Sequence, residues 1–119
     1  MPKSYLIVCD RPPYSSQAGT ESLDLAAAAA AFDMPVQVLL RGDGVYAALT
    51  GQAPQALHQK SAAKRLDALE IYGVQGVFAD YGSLLTRGLS QADIISSIVA
   101  VDDQQVASLL ANADLVVQF

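Results

Sequence analysis

The sequence predicts an α/β fold: a three-layer α/β/α domain around a mainly parallel five-stranded sheet. Three observations lead there. Short apolar runs alternate with helix-like stretches along the whole chain, the pattern of successive βαβ units. The runs "YLIVC" and "VQVLL" are nearly continuous in their apolar character, as strands covered on both faces require. The length, 119 residues, suits one domain that can bury a core without disulfide or metal staples.

Tyr5 to Cys9 is the first strand, ended by Asp10-Arg11-Pro12-Pro13, because proline cannot donate to a ladder. A polar loop containing Ser15 and Ser16 follows. A helix is expected from near Thr20, a capping residue, with Glu21 and Asp24 in its first turn. Its alanine run has high helix propensity. Leu23, Ala26, Ala27 and Ala30 fall on one face, small enough for the helix to lie close to the sheet. Asp33-Met34-Pro35 stops it.

Val36 to Leu40 is the second strand. Gly42-Asp43-Gly44 is expected as a turn, with a short helix beginning at Val45. Thr50 to Gln55 reads as a Gly/Pro loop. A second long helix is expected from about Gln59 to Tyr72. Ala62, Leu66 and Leu69 face inward there, and Lys60, Lys64, Arg65 and Asp67 face outward. Gly73 supplies its C-cap. "VQGVFA" carries the third strand, centred on Val77 to Ala79, and a short helix closed by Gly88 follows. Ser90 to Asp93 has the form of a capping box. "SSIVAV" is the fourth strand. Asp102 to Gln105 opens the last helix, which buries Val106, Leu109 and Leu110. "LVVQF" is the fifth strand.

Composition narrows the function. The net charge is −5, and the densest basic cluster is Lys60, Lys64 and Arg65. Phosphate contacts need concentrated positive charge, so no direct nucleic-acid binding is expected of this chain. Another subunit of an assembly remains free to touch RNA. Hydrophobic residues make up 52% and charged residues 16% of the chain. That surplus of apolar surface points to a partner subunit as well as to a dense core. A single cysteine excludes an internal disulfide and a cysteine-rich zinc site. "YLIVC" is too short for a membrane span or a signal h-region, so the expected location is the cytoplasm, with no membrane partner.

Chemistry in open α/β sheets gathers outside the carboxyl ends of the strands. Asp10, Asp43 and Asp80 fall there, after strands one, two and three. Together they form a candidate magnesium or small-ligand set. Read singly, they are loop aspartates that cap backbone amides. No lysine or hydroxyl partner completes a phosphoryl-transfer set. Gly42-Asp43-Gly44 lacks the spacing of a P-loop or a dinucleotide fingerprint. Cys9 sits inside the first strand and reads as a core side chain. His58, the single histidine, has no serine or cysteine close in sequence to suggest a triad. The residues alone therefore reveal neither an activated nucleophile nor a cofactor motif.

Several stretches nevertheless share one pattern. They are "GTESLDLAAAAAAFD", "VQVLLRGDGVYAALTGQAP", "ALEIYGV", "LLTRGLS" and "LLANADLVVQF". In this order and spacing they resemble the TusC/DsrF branch of the DsrE/DsrF-like sulfur-relay proteins, over nearly the whole chain. The resemblance implies a small α/β/α subunit that associates with TusB/DsrH-like and TusD/DsrE-like subunits in a hetero-oligomer, or with its own copies when isolated. It implies work in thiolation of the tRNA wobble uridine or in sulfur oxidation, with no cofactor. In the sulfur-carrying relatives a cysteine stands eight residues before the glycine that ends the short helix. Here that glycine is Gly88 and the position is Asp80. The resemblance therefore implies a subunit with no catalytic residue of its own. Tyr81, Leu84 and Leu85, beside Asp80, are the interface candidates, and each reads equally as core.

Overall fold

The computed structural model describes residues 3–11, 17–49, 66 and 68–119, with the backbone alone for 17–22. The expected features at Pro12-Pro13, Ser15-Ser16, Thr50–Gln55, His58, Lys60, Ala62, Lys64, Arg65 and Asp67 lie outside the described residues.

Five parallel strands form one sheet: β1 (Tyr5–Cys9), β2 (Val36–Leu40), β3 (Gly76–Asp80), β4 (Val99–Val101) and β5 (Leu115–Gln118). Their order is β4-β3-β2-β1-β5. Tyr5 lies between Val36 and Leu115, and Ala79 lies between Leu40 and Ala100. The described helices are α1 (Gln17–Ala31), α2 (Tyr81–Thr86) and α3 (Asp103–Asn112), with 3₁₀ helices at Gly42–Ala48 and Gln91–Asp93. Leu66, Ala68 and Leu69 are also helical.

Handedness explains which face each helix covers. Parallel crossovers are right-handed. The chain steps β1, β2, β3, β4 in one direction and then returns to β5 at the far edge. The first three connections therefore lie on one face, and the last lies on the other. The packing follows. Ile7, Cys9, Val36, Val38, Leu40, Val77 and Ala79 meet Leu23, Ala26 and Ala30 of α1, Leu66, Leu69, and Leu84 of α2. On the opposite face Leu6, Val8, Leu39 and Val101 pack with Val106 of α3, flanked by Leu109 and Leu110.

Local chemistry sets the boundaries. Helix α1 starts at Gln17, three residues before the expected cap, so Thr20 lies inside the helix rather than at its N-cap. At the other end Asp33 takes a left-handed φ of 61°, a conformation aspartate tolerates better than most side chains. It donates its N–H to the Ala30 carbonyl at 2.9 Å, and Met34 donates to Ala29 at 3.2 Å. Gly73, at φ 102°, ends the helix that carries Leu66 and Leu69. That helix gives way to a turn at residues 70–73 and does not reach Tyr72. Strand β4 is shorter than expected because Ser96 and Ser97 turn outside the ladder and only 99–101 pair. Asp102 caps α3 by accepting from Gln105 N–H, while the Gln105 side chain accepts from Asp102 N–H, each at 2.8 Å. The expected capping box at Ser90 and Asp93 is present.

Gly42-Asp43-Gly44 is not a free-standing turn. It is the first turn of the 3₁₀ helix, pressed against the end of β1. A Cβ on Gly44 would stand 2.1 Å from the Cys9 carbonyl oxygen and 2.8 Å from its carbon. Both are backbone atoms held in the sheet, so they cannot yield.

Gly44→Ala is therefore expected to cost at least about 3 kcal/mol, at the upper end of overpacking effects. Urea denaturation checks it through a lowered midpoint. An unchanged midpoint would show that the 3₁₀ helix is not seated on β1 in solution.

Candidate functional site

The site is the cluster at the carboxyl end of β3, where sequence reasoning placed Asp80. Asp80 is the last residue of β3 and the N-cap of α2. Its Oδ2 accepts from Ser83 N–H at 3.2 Å and from the Ser83 hydroxyl at 2.6 Å. The Ser83 oxygen in turn accepts the Gly42 N–H at 2.9 Å. A short relay thus ties β3 and α2 to the loop after β2. Gly42 adopts φ 52° to present that N–H, a backbone conformation that favours glycine.

Arg87 closes the other side. It is the C-cap of α2, followed by Gly88 at φ 72°. Its Nε and Nη2 donate to Asp43 Oδ1 at 3.1 and 2.9 Å, and Nη1 donates to the Ser83 carbonyl at 3.1 Å. The guanidinium stands 5.9 Å from the centre of the Tyr46 ring, within cation–π range. The Asp43 side chain is 51% exposed, so this pair contributes little to stability and mainly fixes orientation.

The three sequence-predicted carboxylates do not converge. Asp80 is engaged by Ser83, Asp43 by Arg87, and Asp10 by the Gln118 side-chain amide at 3.0 Å. Among the described residues no three His, Cys, Asp or Glu side chains come together as a metal-binding group. Cys9 is buried in β1, its Sγ 3.9 Å from the Arg11 carbonyl. Of the interface candidates, Leu84 is fully enclosed in the core and is corrected to a packing residue, because α2 turns it toward the sheet. Tyr81 and Leu85 stand exposed on the outer side of α2.

Ser83 and Arg87 were missed by the sequence reading. A serine three residues after an N-cap aspartate is a local signal that was available. Arg87 bonding Asp43, 44 positions away, has no local signal. A groove of about 520 Å³ also lies between α3 and the sheet, lined by Gln37, Phe78, Val101, Gln104, Gln105, Ser108, Leu109 and Asn112. Asp80 does not line it. No described helix is long and apolar enough to cross a membrane.

The model of the DsrE/DsrF-like family matches residues 3–119. The chain is 36% identical over 117 residues to a protein named TusC homolog from Pseudomonas aeruginosa, covering 98% of each. It is 28% identical over 131 residues to the intracellular sulfur oxidation protein DsrF of Allochromatium vinosum, covering 98% of this chain and 96% of the relative. The crystal structure of the ychN protein from E. coli matches over the full length of both chains, with 26% identity and a TM-score of 0.85.

The relay predicts a graded response. Asp80→Ala removes the cap and strands the Ser83 hydroxyl, and is expected to cost about 1–2 kcal/mol. Asp80→Asn keeps an acceptor and is expected to cost less. Arg87→Ala is expected to cost less than about 1 kcal/mol. Thermal and urea unfolding of the three variants gives the ranking. Equal losses for all three would show that the relay does not hold α2.

Proposed function

The chain belongs to the DsrE/DsrF-like family, and from that premise we propose that it is a non-catalytic subunit of a sulfur-relay complex. In this reading it works in the cytoplasm beside TusB/DsrH-like and TusD/DsrE-like chains and supports 2-thiolation of the tRNA wobble uridine. A companion chain carries the sulfur. This chain completes the assembly that holds the companion.

One observation carries the proposal. The residue at the end of β3, where the resemblance places the cysteine of the sulfur-carrying relatives, is Asp80. Its oxygen is already committed to Ser83 and to the cap of α2. A carboxylate has no sulfur on which a persulfide can form. The one thiol of the chain, Cys9, is 3% exposed at the carboxyl end of β1. The exposed Tyr81 and Leu85 on α2 supply apolar surface beside the Asp80 position for a neighbouring subunit.

The wobble-uridine pathway is favoured over sulfur oxidation by the higher identity to the TusC homolog, 36%, than to DsrF, 28%. The stand-alone metal-binding alternative loses support from the separate engagement of Asp10, Asp43 and Asp80.

Intact-mass spectrometry after incubation with a small-molecule persulfide donor tests the proposal. The native chain is expected to gain no sulfur. Asp80→Cys, which puts a thiol at the start of α2, is expected to gain one sulfur atom that a reductant removes. Stable sulfur addition at Cys9 of the native chain would refute the non-catalytic assignment.

A further inference from the structure

Gln37 is out of keeping with its strand. It lies on β2, the central strand of the sheet, with its side chain on the α3 face. Its neighbours on that face, Leu6 across the ladder and Leu39 two residues on, are apolar and fully buried. An amide set among them is costly unless something pairs with it. Among the described residues nothing does: the Gln37 side chain forms no hydrogen bond within the protein. No buried side-chain nitrogen or oxygen is left unpaired there either. The Gln37 amide is therefore not sealed under α3 but opens into the groove between that helix and the sheet.

The floor beside Gln37 is aromatic. Gly76 is the ladder partner of Gln37, and the Phe78 ring folds back over it. A Cβ on Gly76 would stand 2.8 and 2.9 Å from two carbons of that ring. Glycine inside a strand marks such close approaches. It lets the ring lie down next to the Gln37 amide. The wall is the polar stripe of α3. Gln104, Ser108 and Asn112, spaced four apart, share one side of the helix and line the groove. Among the described residues their side chains also hold no hydrogen bond within the protein. No charged side chain lines the groove, and its volume of about 520 Å³ is that of a small-molecule site.

We propose that this groove is a binding site for a neutral purine, taken as the free base or the nucleoside. The lining selects the class. An anion would lose water here and gain no counter-charge. A purely apolar ligand would leave the amides of Gln37, Gln104 and Asn112 without partners. A flat heterocycle meets both demands. Its face covers the Phe78 ring, and stacking of this kind is favourable for any base. Its edge meets side-chain amides, each of which offers a donor and an acceptor side by side. Adenine carries the complementary pair at N6 and N7, the pattern that glutamine and asparagine bind in bidentate fashion. Gln37, set into the sheet, supplies that pair, and the α3 stripe supplies hydroxyl and amide partners for a ribose. A nucleic-acid strand is not the ligand, because nothing in the groove neutralises phosphate. The proposal stands on the groove alone and does not depend on the sulfur-relay reading.

Heteronuclear NMR of the full chain, titrated with adenosine, tests it. Saturable shifts are expected in the side-chain amides of Gln37, Gln104 and Asn112, with a Kd of about 0.1 mM, ordinary for a ligand of this size. N6,N6-dimethyladenosine lacks the donor and is expected to bind at least about tenfold more weakly. AMP is expected to bind no more tightly than adenosine, since no cation lines the groove. Gln37→Leu is expected to weaken adenosine binding at least about tenfold. Its urea midpoint is expected to stay level or rise, because leucine suits the apolar face; a glutamine with only a structural role would give a lower midpoint. Gly76→Ala displaces the Phe78 ring without touching the ligand and is expected to weaken binding about fivefold. Absence of saturable binding at about 2 mM adenosine would overturn the proposal. So would equal binding of the dimethyl compound, markedly tighter binding of AMP, or native affinity in either variant. If Gln37→Leu does not fold, the dimethyl comparison on the native chain decides.

Discussion

The hydrogen bond from the Ser83 hydroxyl to the Asp80 carboxylate, 2.6 Å long, holds the functional end of the molecule together. It fixes the start of α2 at the end of β3. Through the Gly42 N–H it also fixes the loop that leaves β2. Two of the three loops at the carboxyl ends of β1, β2 and β3 are thereby joined by one hydroxyl group. Gly44, seated against the Cys9 carbonyl, brings the third into register. A carboxylate suits this position because its oxygen accepts from both the backbone N–H and the hydroxyl of one residue. Asp80 is thereby both the N-cap of α2 and the acceptor of the Ser83 hydroxyl.

The fold around this site follows from chain direction. Four strands laid down in one direction and a fifth returned to the far edge place α1, the Leu66–Leu69 helix and α2 on one face and, among the described helices, α3 on the other. The first face is closely built from alanines and branched side chains, as the alanine run of α1 allows. Among the described residues the second carries one helix of ten residues across five strands, with a groove beside Phe78 and Gln37. The two edges of the sheet differ as well. The β4 edge is closed by Gln91, which bonds the Ile98 carbonyl and the Ala100 N–H, and the β5 edge has no such closure among the described residues.

Much of this architecture is legible in the sequence because it rests on local patterns. "YLIVC" and "VQVLL" announce β1 and β2 through unbroken apolar character, and their bounds match. The capping box at Ser90 and Asp93 and the cap at Asp102 are written in adjacent residues. Other features depend on distant contacts. The 3₁₀ helix at Gly42 reads as a turn until the Cys9 carbonyl is seen against Gly44. Leu84 reads equally as surface or core until α2 is placed on the sheet. Strand order, the Arg87–Asp43 pair and the return of Asp114 to Ser4 join residues 44 and 110 positions apart, beyond any local pattern. At the site, the identity of Asp80 was legible and its partners were not, because a cap is defined by geometry.

The central claim is that this chain supports a sulfur transfer whose covalent carrier is another polypeptide. Radiolabelling makes the most direct test. The native complex would be isolated through a tag on this chain, supplied with sulfur-35 from a desulfurase and separated into subunits without reductant. The account predicts that the label travels with a companion subunit and is absent from this chain. Label bound covalently to this chain, and released from it by an acceptor, would contradict the account.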